Sequence, residues 1–164
     1  MGKLFISCSI LLLFFSCKEN KRPVVVEDTA DSTIVTEQWP KKTVINAKAT
    51  DIIKDWPEFS ALDTAFDALY SVENSEDVKL VIENLIENQK LLETSKYPED
   101  FDVPQIKSRQ KVFKTYILKT KGNLEYRLDV KEPVLEMITA YNALCHQFNV
   151  IVNNTLDTKL ILEE

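Results

Sequence analysis

The sequence predicts an all-α fold, an antiparallel four-helix bundle over residues 49–164 that follows a signal peptide and an extended tether. Three observations carry this expectation. From residue 50 onward, apolar side chains recur every three or four positions, the period of a helix with one buried face. Pro57 and Pro104 stand where helices are expected to begin, each with an aspartate two residues before it. The second half of the chain holds one glycine, Gly122, so little in it invites a break.

Residues 1–16 read as a secretory signal. Lys3 supplies the positive charge, and Leu4–Phe15 is an apolar run interrupted only by Ser7, Cys8 and Ser9. It is too short for the roughly 20 apolar residues of a spanning helix. The run ends in Phe14, Phe15, Ser16 and Cys17, large side chains where an ordinary signal ends in small ones. This ending resembles the lipobox of bacterial lipoproteins, with Phe14 where leucine is usual. The resemblance implies cleavage before Cys17 and palmitate-like acyl chains on that residue. Each buried methylene adds about 0.8 kcal/mol, and stable anchoring takes more than one chain, which a diacylated, N-acylated cysteine provides. The following Lys18-Glu19-Asn20 is similar in part to the lysine-then-acid export signal of Bacteroidota surface lipoproteins. No aspartate follows Cys17 to favour inner-membrane retention. The resemblance thus implies a lipoprotein of the outer membrane, with the periplasmic and the cell-surface side both open.

Residues 17–48 read as the lipidated cysteine and a flexible linker. They hold Pro23 and Pro40, mixed charge, and no sustained period of 3.6 or 2. Val24–Val26 and Thr33–Val35 are short and unbracketed by hairpin turns, so they read as extended chain. Asp28-Thr29-Ala30 and Asp31-Ser32-Thr33 resemble the O-glycosylation motif of Bacteroidota, which makes Thr29 and Ser32 candidate sugar sites.

Four apolar faces follow. Ile52, Trp56, Phe59, Leu62, Phe66 and Leu69 trace the first, with a break or kink expected at Pro57. Val78, Ile82, Leu85 and Leu92 trace the second, with Ser75 as its expected cap. Ile106, Phe113, Ile117, Leu124 and Leu128 trace the third, and Val134, Ile138, Tyr141, Cys145, Phe148, Val152 and Leu156 the fourth. Asp55 and Asp102 are expected to cap the first and third helices, and Pro133 to open the fourth, which runs to about residue 161. About 115 residues suffice for one core.

Charge and cysteine usage exclude some classes. Removing residues 1–16 leaves 19 basic against 26 acidic side chains, a net charge of −7, which argues against nucleic acid as a partner. Cys8 leaves with the signal and Cys17 carries lipid, so Cys145 is a lone thiol and no internal disulfide forms. The chain's single histidine, His146, is adjacent to Cys145, about 100° around the helix, so the two do not oppose each other as a nucleophile and base would. Zinc takes about four ligands and haem a second axial one, and Met137 shares the helix of His146. Glu99, Asp100 and Asp102 lack the length, glycine and closing glutamate of a calcium loop. No metal and no cofactor is expected.

Two surfaces stand out. Met137–Leu156 carries no formal charge, and Asn142, His146, Asn149 and Asn153 fall on one stripe at i, i+4, i+7 and i+11. An exposed stripe normally carries Lys and Glu, so this one is expected to meet something other than bulk water. Its own bundle, a protein partner and a small polar ligand all satisfy that condition. The third helix is basic, with Lys107, Lys111, Lys114 and Lys121 on one stripe, while residues 73–93 are acidic. These charges either pair across a helix seam, at about 0–1 kcal/mol each, or hold an anion. The resulting expectation is a lipid-anchored, non-catalytic interaction module with a protein partner in the cell envelope. The alternatives are a binding protein for a small polar or anionic ligand and, third, an enzyme.

Overall fold

The computed structural model describes residue 34 and residues 36–154. Among these the chain is all-α, with five α-helices and no strand. The helices are α1 (Ala47–Ile53), α2 (Pro57–Asp67), α3 (Ser75–Thr94), α4 (Pro104–Glu125) and α5 (Lys131–Asn153). Single 3-10 turns lie at Thr36–Gln38, Ala68–Ser71 and Glu99–Phe101.

The first apolar face is split between α1 and α2. Pro57 lacks an N–H and pushes the residue before it out of the helical region, and Trp56 accordingly sits at φ −115°, ψ 83°. The same rule corrects the expected caps. Because a proline at the first helical position makes its immediate predecessor the cap, Trp56 and Val103 hold those positions and neither makes a side-chain capping bond. Asp55 and Asp102 stand one residue too early. Asp102 instead pairs with Lys107. At α3 the cap is Asn74 rather than Ser75, its Oδ1 accepting from the Asp77 N–H at 3.0 Å. Pro133 is the third residue of α5, not its opener; α5 closes at Asn153, and residues 155–161 of the expected fourth helix lie outside the described residues.

The third apolar face runs to Leu128, but its helix ends at Glu125. The Leu128 N–H donates to the Asn123 carbonyl at 2.8 Å and the Arg127 N–H to that of Leu124 at 3.2 Å. These are the two bonds of a Schellman stop, with Arg127 in the left-handed position at φ 53°.

α5 supplies ten of the buried residues, among them Val134, Ile138, Tyr141, Cys145 and Phe148. Its most extensive neighbour is α4, and α3 meets both α2 and α4. Two aromatic groups fill the interior. Phe148 lies 4.6 Å from Phe101, 5.0 Å from Phe59 and 6.3 Å from Trp56 between ring centroids. Tyr141 stacks on Phe66 at 3.7 Å and meets Phe113 at 5.0 Å.

One interior residue breaks the apolar pattern. Gln89 follows Leu85 on the buried stripe of α3, is 1% exposed, and neither polar atom of its side chain has a hydrogen-bond partner among the described residues. An unpaired buried amide costs about 1–3 kcal/mol. Gln89→Met, similar in shape without the polar demand, is therefore expected to stabilise the fold. The rise in thermal midpoint should be on the order of 4 °C per kcal/mol. A lower midpoint would show that the amide is satisfied in solution.

Candidate functional site

The uncharged stripe of α5 meets the chain's own residues 41–46, a segment without helix or turn. The Thr43 N–H donates to Asn142 Oδ1 at 2.7 Å, and Asn142 Nδ2 donates to the Lys41 carbonyl at 2.9 Å. Two helical turns on, the Asn46 N–H donates to Asn149 Oδ1 at 2.8 Å, and Asn149 Nδ2 donates to the Val44 carbonyl at 2.9 Å. Each carboxamide thus acts as a peptide group would, offering one donor and one acceptor to backbone two residues apart. Asn46 also caps α1, accepting from the Ala49 N–H at 2.9 Å. His146 and Asn153, the other members of the stripe, are exposed.

Upstream, Trp39 is buried against Tyr70, whose hydroxyl donates to the Pro40 carbonyl at 2.7 Å. Residues 36–48, read from sequence as the end of the spacer, therefore belong to the folded unit. This strap carries Lys42 onto α2, where its ammonium lies 3.0 Å from Asp63 and 2.5 Å from Asp67. Burial pulls the Lys42 pKa down, but the hydrogen bonds and charges of Asp67 and Asp63 outweigh it, so the net shift is upward. Tyr141 donates to Asp63 from below. Burial, aided by the Asp63 charge, pushes the Cys145 thiol up to about 12. It stays protonated and is not a nucleophile at neutral pH.

The basic stripe of α4 divides. Lys114 pairs with Glu93 of α3 at 2.6 Å, the seam pairing that the charge pattern allows, and Lys121 with Glu125 at 3.4 Å. Lys107 pairs with Asp102 and lies 5.3 Å over the ring of Tyr97. Lys111 has no ion pair among the described residues.

Lys107 and Lys111 share an open groove of about 1140 Å³. It forms where the α3–α4 connection, the end of α1 and the first turns of α4 meet, and Asp55, Lys96, Tyr97 and Glu99 contribute to it. Gln110 also lines it. That residue is 2% exposed; its Oε1 accepts from the Tyr97 hydroxyl, and its Nε2 has no partner among the described residues. The connection is held in place by Trp56, whose Nε1–H donates to Ser95 Oγ at 2.9 Å and whose ring lies 4.8 Å from that of Tyr97. Sequence reasoning found the two lysines but missed Gln110. Its signal was a polar residue on the apolar stripe of Ile106, Phe113 and Ile117.

Cys17, Thr29 and Ser32 lie outside the described residues. Among those described, no helix is long and apolar enough to cross a membrane, and no group of His, Cys, Asp or Glu side chains is placed to hold a metal. No family model, no curated protein and no solved structure matches the chain.

Proposed function

We propose that the chain is a lipid-anchored, non-catalytic interaction module of the bacterial cell envelope. In this reading α2 to α5 form an antiparallel four-helix bundle, held to the outer membrane through Cys17. The observation that supports it is the groove beside Gln110, together with where the groove sits. Ile34, the first described residue, donates its N–H to the Glu73 carbonyl at 2.9 Å, next to the start of α3. The groove lies against Glu93 and Ser95, at the other end of that helix. Twenty residues at 1.5 Å each separate the two ends by about 30 Å. In this reading the groove, at the end of α3 away from Ile34, is open to other envelope components. The unpaired Lys111 and the Gln110 amide also favour a second reading, a small polar or anionic ligand in the same groove.

The anchor is tested by Cys17→Ala. Uncut precursor and loss of acyl labelling are expected, and normal processing with release into the soluble periplasm would sink the anchor. The interaction is tested by a photo-crosslinking residue placed at position 111 of the full chain in intact envelopes, with exposed position 80 on α3 as control. A discrete protein adduct from 111 alone is expected. Equal adducts from both sites, or none from 111, would overturn the groove as the partner surface.

A further inference from the structure

We infer that the groove beside Gln110 binds an extended peptide segment that carries both a basic and an acidic side chain, offered by a protein partner. This rests on the interaction reading and names the chemistry of its partner. The charges in the groove come in both signs. Lys107 is neutralised by Asp102 and Glu93 by Lys114, which leaves Lys96 and Lys111 against Asp55 and Glu99, none of them ion-paired among the described residues. Two cations beside two anions suit a ligand of mixed charge. A simple anion would meet the repulsion of Asp55 and Glu99, and a simple cation that of Lys96 and Lys111.

Gln110 lines the wall of the groove. Gln110 has its acceptor taken by Tyr97 and its donor unpartnered, at 2% exposure. A buried amide N–H without an acceptor costs free energy, and a turn of the Gln110 side chain towards the groove would let a peptide carbonyl recover it. A sugar ring fits less well. Saccharides rest on open aromatic faces, and Tyr97 has Lys107 over its ring at 5.3 Å and Trp56 beside it at 4.8 Å.

The test is selection from a random hexapeptide library on the full mature lipoprotein in detergent. Enrichment of peptides that contain both Lys or Arg and Asp or Glu is expected. Selected peptides should bind about tenfold more weakly to Gln110→Leu and to Lys111→Glu, and the thermal midpoint of each variant controls for folding. Three outcomes would overturn the inference. They are an enriched pool of one charge sign, enrichment unchanged in both variants, and no enrichment at all. If selection fails while the crosslink from position 111 persists, the interaction module stands and only the peptide class falls. Binding of inorganic phosphate or of a chito-oligosaccharide, lost in Gln110→Leu, would instead assign the groove to a small ligand.

Discussion

Phe148→Ala is expected to be the most destabilising single substitution in the bundle, at about 3–5 kcal/mol. The ring is fully buried, and the three aromatic side chains around it come from two parts of the chain, residues 56–59 and the turn at Phe101. Phe59 belongs to α2, Trp56 to the break before it, and Phe101 to the turn before α4. Trp56 and Phe59 are stacked on each other at 5.6 Å, so neither is free to move alone into the cavity left by the ring. A small domain has about 5–15 kcal/mol in total, so the loss takes a large part of it. The denaturant midpoint should fall with an unchanged slope, which distinguishes lost stability from a changed unfolded state. Phe148→Leu keeps most of the volume and should cost about 1–2 kcal/mol. A midpoint unmoved by the alanine would contradict the core described above. The effect should reach the groove as well, because Trp56, which rests against Phe148, also holds Ser95 and Tyr97 in place.

The sequence made the helices legible and left their ends and the tertiary surfaces obscure, for identifiable reasons. Periodicity reports which residues face the core, and Phe59, Ile82, Phe113 and Phe148 are all buried where it placed them. The break at Pro57 followed from the geometry of proline alone. At Pro57 and Pro104 the aspartate stands one position before the cap, because the proline itself fixes which residue precedes it. The stop of α4 was invisible because Arg127 occupies the left-handed position where glycine is the usual signal, while Gly122 lies inside the helix. The groove has no local signature. Its lining comes from three stretches around residues 52–55, 93–102 and 107–111, which only the fold brings together. The strap is a similar case. An uncharged stripe at Asn142 and Asn149 marked that something is covered, but backbone held by carboxamides leaves no hydrophobic period in residues 41–46 to name the cover.

Asn142→Ala with Asn149→Ala is expected to detach the strap, and the way the two losses combine identifies it as one unit. Each carboxamide satisfies one N–H and one carbonyl of the strap, so the pair removes four hydrogen bonds. At about 0.5–1.5 kcal/mol net for each bond, a single substitution should cost about 1–2 kcal/mol. The partners are partly exposed, so water replaces part of what is lost and the upper figure is not reached. The two sites are separated by two helical turns, and independent sites at such a distance would add. If the strap instead peels as a unit, the first loss already frees it and the second costs less. Sub-additivity is therefore the expected result, with the double variant costing less than the sum of the two measured single costs. Amide exchange should speed up at Thr43 and Asn46, whose N–H groups lose their acceptors. Trp39 is buried in the strap, so its fluorescence should shift to the red. Asn142→Asp keeps the acceptor for the Thr43 N–H but sets a carboxylate against the Lys41 carbonyl, and should fall between wild type and alanine. His146→Ala and Asn153→Ala, on the exposed members of the same stripe, should stay within about 0.5 kcal/mol of wild type. Wild-type exchange at Thr43 and Asn46 in the double variant would mean that the carboxamides do not hold the strap. Release without loss of the helical signal would instead place the strap as a separable latch between the N-terminal residues and the helices. Lys42 would leave with it, and Asp63 and Asp67 would lose the cation that faces them.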